Sequence, residues 1–351
     1  MFADITLLLE RLHWSVVAAA GFVMLLGGGR ALVHGAVALA RRLGVSTLVV
    51  GLTVVAFGTS LPELVFNVFA AASGHSELSF GNVVGSNICN IGLVLGLAAL
   101  VHGPILVHRQ VLTHEFPRLL VVTAVMVALA FAPPSLMGSG EPVDGFGRLD
   151  GIILSAMFVG LLWLWYRGAR AGHEEVVAAE LRAEAEHEPP RSLPVSIMLV
   201  VVGLVLLTAG GQLTENGAVR AADAAGLSQS LIGLTVVAVA TSLPELFATL
   251  AACRAGHGDL AIGNVIGSNL FNIVCVLGVT VLIAPVAVPS GTGVSDLACM
   301  AVLTLLFAGF ALTRKSRIGR PAGGLLLLLY VGYMTYSVLR ETLLASPIIG
   351  S

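Results

Sequence analysis

Two acids set in apolar surroundings, Glu63 and Glu245, are the residues of this 351-residue chain best suited to do chemistry. Each sits in nearly the same segment, GTSLPEL at 58–64 and ATSLPEL at 240–246. Thr59, Ser60, Thr241 and Ser242 put hydroxyls beside them, and a proline precedes each acid. A proline within a helix lacks its N–H, so Pro62 is expected to free the Gly58 carbonyl and Pro244 that of Ala240. In hydrocarbon such a carbonyl survives only where protein, water or an ion satisfies it. A second motif, GNVVGSNICN at 81–90 and GNVIGSNLFN at 263–272, supplies further oxygens. Asn82, Ser86 and Asn90 fall at i, i+4 and i+8 on one helix face, as do Asn264, Ser268 and Asn272. Carboxylates, amides, hydroxyls and carbonyls form an all-oxygen set, which suits a hard cation such as Ca²⁺ or Na⁺. The competing reading, an acid paired with a buried base, finds one candidate, since Arg30 is the sole basic residue well inside a span. Unpaired acids at membrane depth point to function.

Elements must bring these pieces together, and the chain carries them twice. Residues 51–96 and 233–278 align without a gap at a constant offset of 182, and most aligned positions are identical. The likeness extends upstream, where LLGGGRALVHGAVALARRLG matches LLTAGGQLTENGAVRAADAAG. Gly81, Gly85, Gly263 and Gly267 form small-xxx-small patterns that permit close helix approach. Glu215, whose counterpart is Val33, is a solitary acid outside the paired set.

Composition makes the solvent a bilayer. The chain is 57% hydrophobic and 11% charged, against about a quarter charged in soluble domains. Mean hydropathy is +0.96. Apolar stretches are expected to span near 15–40, 48–72, 80–101, 118–135 and 150–166, then near 194–221, 230–253, 260–285, 296–313 and 323–343. The fold class is therefore an all-α polytopic membrane protein of ten helices. Its organisation is a first five-helix repeat at 1–166, a charged linker at 167–193 with a short helix near Glu174–Glu186, and a second repeat at 194–351. Five crossings turn the second copy upside down relative to the first, so the matching segments meet at the midplane. Most of the 18 Lys and Arg fall on the linker's side when both termini are outside, which makes that side cytoplasmic. The N-terminus lacks the basic start of a cleaved signal, so the first span is expected to be retained. Cys89, Cys253, Cys275 and Cys299 lack any framework spacing and read as apolar fillers. His75 and His257 recur in Gly-bounded turns, and the other histidines have no metal-ligand spacing.

The paired GTSLPE and ATSLPE segments, each followed by GNVVGSN or GNVIGSN, resemble the alpha-1 and alpha-2 repeats of the calcium/cation antiporter superfamily, above all those of prokaryotic sodium/calcium exchangers. That resemblance implies broken second, third, seventh and eighth helices around the site, and a first-and-sixth helix pair that slides to switch access. It implies a cation site of Glu63, Glu245, Thr59, Ser60, Thr241, Ser242, Ser86, Ser268, Asn90 and Asn272, with the carbonyls of Ala56 and Ala238. Such exchangers often carry an aspartate at the end of one GSN motif, whereas here Asn90 and Asn272 are both amides. Two carboxylates balance one Ca²⁺ or two Na⁺, and buried carboxylates can also take up protons, so H⁺ stands as the alternative driving ion.

The expected function is secondary active exchange of Ca²⁺ for Na⁺, with Ca²⁺/H⁺ exchange as the alternative. No enzyme is expected, because neither repeat sets a histidine or cysteine beside its serines as nucleophile and base. A channel would need a continuous pore. No cofactor is expected: Ca²⁺ and Na⁺ or H⁺ are substrates. The expected partners are these ions and the lipid bilayer of a prokaryotic inner membrane, without nucleic acid or an obligate protein partner.

Overall fold

The computed structural model describes residues 12–132, 145–170, 192–226, 238–312 and 316–345. Its helices are α1 (Trp14–Leu43), α2 (Thr47–Thr59), α3 (Leu61–Ala72), α4 (Ser76–His102), α5 (Val111–Ala130), α6 (Arg148–Arg170), α7 (Leu193–Ala224), α8 (Ala238–Thr241), α9 (Leu243–Arg254), α10 (Gly258–Ile283), α11 (Gly293–Ala311) and α12 (Arg320–Ala345). Among the described residues, eight helices are long and apolar enough to cross a membrane. A ninth candidate is the pair α2 and α3, bent by 43°. The upstream part of the span expected near 230–253 lies outside the described residues, as does the expected linker helix near Glu174–Glu186.

Polar ends close these helices. Gly44 stops α1 at φ 65°, and the N–H groups there return to the Ala40 and Arg41 carbonyls. A left-handed residue at this position costs glycine little. Arg41 and Arg42 in the last turn complement the helix dipole. The fourth expected span, 118–135, is displaced: α5 begins at Val111, with a wide turn over Val111–Glu115 ahead of Pro117. The sequence THEFPR looked like a loop, yet Glu115 is buried and accepts hydrogen bonds from Trp165 Nε1 at 3.0 Å and from Arg118. Asp150, expected in an exposed turn, is also buried and accepts from the Gly147 N–H at 2.8 Å.

Glu115→Ala strands the indole N–H of Trp165 and the half-desolvated Arg118. An unmet buried donor costs about 1–3 kcal/mol. A lowered melting temperature in detergent is expected, with a shifted tryptophan emission; an unchanged melt contradicts this role.

Glycines set the longest helix contact. Gly21, Gly28 and Gly35 recur every seventh residue on α1, and Gly203, Gly210 and Gly217 do so on α7. Gly21 faces Gly210, Gly28 faces Gly203 and Leu207, and Gly35 faces Leu199 and Val200, so the helices run antiparallel at backbone contact. α9 rests against this pair. α4 and α10 are the most buried spans; α12 packs along α4, and α6 along α10. Two short antiparallel ribbons tie the chain's halves together: Ile105–Leu106 pairs with Arg317–Ile318, and Gly145–Phe146 pairs with Val286–Ala287.

Candidate cation site

Each break is a single residue wide. Ser60, at φ −89° and ψ 3°, joins α2 to α3, and Ser242, at φ −92° and ψ 6°, joins α8 to α9. The prolines therefore fall in first turns, where a missing N–H costs no helical hydrogen bond. This narrows the expectation that Pro62 and Pro244 unwind the chain: the helix bends about the serine instead. The Ser60 N–H still reaches the Ala56 carbonyl at 3.1 Å, and Thr59 Oγ1 lies 3.3 Å from it. The Ala56 carbonyl is thus engaged within its own helix. Ala238 opens α8.

Glu63 and Glu245 occupy the first turns of α3 and α9, and both are buried, at 2% and 1% exposure. Their carboxyl groups lie close enough to interact electrostatically. Hydroxyls and amides link the two copies. Ser60 Oγ lies 3.4 Å from Glu245 Oε1, and Thr59 Oγ1 lies 3.4 Å from Asn264 Oδ1. Asn264 donates to Thr249 Oγ1 at 3.0 Å and lies 3.4 Å from the Glu245 carbonyl. Thr241 is half-buried beside Ser242.

The second motif meets these breaks through a local widening of its helices. At Asn90 in α4 and at Asn272 in α10 the backbone passes into a π-helical turn, over Asn90–Leu95 and Asn272–Leu277. Such turns add a residue per repeat and recur at functional sites. The Asn272–Leu277 turn packs on α3, which carries Glu63; the Asn90–Leu95 turn packs on α9, which carries Glu245. Ser86 and Ser268 lie one helical turn earlier, both buried.

This cluster is short of partners. Both carboxylate oxygens of Glu63, Oε2 of Glu245, the hydroxyls of Ser242 and Ser268, and both amide atoms of Asn90 and Asn272 are buried without a hydrogen bond. Orphaned buried polar atoms are costly and uncommon in folded proteins. Here they collect in two matching segments and include both acids. Arg30, the one base the sequence offered as a partner, is exposed on α1.

Some polar residues escaped the sequence reading. Asn67, one turn beyond Glu63, is fully buried and donates to the Glu63 carbonyl at 2.7 Å. Asn87 and Asn269, beside the site serines, bond the carbonyls of Val83 and Val265 at 2.7 Å and keep their own amide oxygens unpaired. Asn87 and Asn269 recur at the repeat offset, which is the signal that pointed to them. Among the glycines, Gly263 and Gly267 make the close approach expected of them, against Leu48, Leu52 and Ala56, while Gly81 and Gly85 meet no described atom within 4 Å of an added Cβ.

The family described as sodium/calcium exchanger protein matches residues 13–167 and 195–339, nearly the whole chain. The chain belongs to the sodium/calcium exchanger family. It is 39% identical over 321 residues to the putative antiporter CaxA of Alkalimonas amylolytica, covering 91% of this chain and 97% of that one. It is 30% identical to the sodium/calcium exchanger MaX1 of Methanosarcina acetivorans, covering 90% and 95%. Its fold matches that of the sodium-calcium exchanger NCX_Mj, soaked with zero Na⁺ and Ca²⁺, with a TM-score of 0.74 and 32% identity over 92% of this chain and 98% of that one. Membership makes this a multi-pass membrane protein of the calcium/cation antiporters, and its relatives are exchangers rather than enzymes.

Proposed function

We propose that this family member exchanges Ca²⁺ for Na⁺ by alternating access, with Glu63 and Glu245 as the charged ligands of one central site. The observation that carries this reading is the buried set of unpartnered oxygens on Glu63, Glu245, Ser242, Ser268, Asn90 and Asn272. A Ca²⁺ ion takes six to eight oxygens, and Thr59, Ser60, Thr241 and Ser86 stand beside that set. The carbonyls of Ala56 and Ala238 join as ligands if the bends open by another half-turn. The ion cancels the acids' charge, which lets the occupied site pass a low-dielectric barrier that the empty, doubly charged site does not.

In this reading ten helices form two inverted five-helix repeats, 1–166 and 194–351, with both termini outside and 167–193 in the cytoplasm of a prokaryotic inner membrane. The antiparallel glycine contact of α1 and α7 supports it. So do the ribbons, since each pairs a strand of one half with a strand of the other. The α1–α7 pair, joined at backbone distance, is the element that slides.

Purified protein in proteoliposomes is expected to take up Ca²⁺ against an outward Na⁺ gradient, with membrane potential clamped. Uptake driven only by a proton gradient would replace Na⁺ by H⁺ on the same scaffold. Uptake indifferent to any trans ion would identify a channel and overturn the reading.

A further inference from the structure

Charge counting at the site carries one step further, and it rests on the antiport reading above. Glu63 and Glu245 are the only acids in the cluster: no group of three Asp, Glu, His or Cys residues placed to hold an ion occurs among the described residues. The stretch leading into Ala238 that is not described, LSQSLIGLTVV, contains no ionisable side chain. No base compensates the two acids, Arg30 being exposed. At Asn90 and Asn272, where a third charge would stand, are two buried amides with every polar atom unpaired. An amide oxygen can ligate a cation, but it contributes no charge.

We infer that exchange by this protein is electroneutral, one Ca²⁺ against two monovalent cations. With both acids ionised the empty site carries two negative charges. One Ca²⁺, two Na⁺ or two H⁺ each bring it to zero. A single Na⁺ leaves one negative charge and a third leaves one positive charge, and an uncompensated charge is heavily penalised in a buried site. The two states that cross the barrier are therefore those of equal charge. Two positive charges move in each direction, and the cycle transfers none. Asn90 and Asn272 are thereby the residues that set the stoichiometry.

The test uses the full chain in proteoliposomes, with potentials of about −100, 0 and +100 mV imposed by valinomycin and K⁺. The equilibrium Ca²⁺ ratio is read under a fixed Na⁺ gradient and, in a separate arm, a fixed pH gradient. The expected ratio follows the square of the monovalent gradient and ignores the potential. A ratio that shifts by about fiftyfold for each ~100 mV means one net charge per cycle, and this overturns electroneutrality while leaving antiport intact. Ca²⁺ movement that needs no trans ion overturns the antiport reading and this inference together. Asn272→Asp, measured at alkaline pH, restores a third carboxylate, so its ratio is expected to acquire that voltage dependence. A variant ratio still blind to potential, beside an intact gradient-driven flux, would sink the assignment of stoichiometry to these amides.

Discussion

Glu63→Gln is expected to reduce Ca²⁺ uptake to the background of empty liposomes, and Glu245→Gln to do the same. The substitution keeps size and shape while removing one of two charges that face a divalent ion. Both acids are buried and neither has a basic partner, so no neighbouring group can make up the loss. Removing one member of a buried ionic arrangement costs about 3–5 kcal/mol, which lowers affinity for Ca²⁺ by about two to three orders of magnitude. Stability should move the opposite way. In the cation-free protein the two carboxylates face each other without compensation, so either glutamine variant is expected to melt at the same temperature as the parent or higher. Added Ca²⁺ should raise the melting temperature of the parent by mass action, and this rise should vanish in the variants. Calcium uptake, a melting curve with and without Ca²⁺, and an elution profile from size-exclusion chromatography decide the matter together. A variant with parental flux removes these acids from the site.

The repeats were legible because their informative residues are chemically expensive at membrane depth. Glu63 and Glu245 announce themselves by charge, Pro62 and Pro244 by breaking a helix, and the Asn and Ser residues by recurring at one offset. What the sequence hid is local backbone winding. Nothing in NIGLVL or NIVCVL separates a π-helical turn from an α-helical one, because the difference lies in which carbonyl each N–H meets. The proline argument likewise named the broken hydrogen bond but not where the chain would bend, and one serine absorbs the change at each site. Glu115 was obscured for another reason. Its partners Arg118 and Trp165 lie on the next turn and on another span, so a local reading saw a polar loop where the fold has a buried knot.

Gly267→Val is expected to abolish transport and destabilise the fold, although residue 267 is no ligand. A Cβ at this position would lie 2.6 Å from the Ala56 Cβ, 2.8 Å from the Leu52 carbonyl oxygen and 3.0 Å from the Leu52 Cα. Two of these three atoms are backbone, so trimming Ala56 to glycine cannot relieve the clash, and α2 and α10 must part. Overpacking of this kind costs about 1–3 kcal/mol. The effect on transport should exceed that figure, because the displaced elements carry the site. Ser268 follows Gly267 directly, Asn272 lies on the next turn of α10, and Thr59 ends α2 with its hydroxyl 3.4 Å from Asn264. A shift near 1 Å in such an array costs about a hundredfold in rate. Gly332→Val is the control: it lies exposed on α12 with no atom within 4 Å of an added Cβ, so flux and melting temperature should stay parental. The Gly267→Val, Ala56→Gly double variant should remain inactive. Its recovery would mean that the side chain of Ala56, rather than the backbone of α2, sets the distance between the two halves of the site.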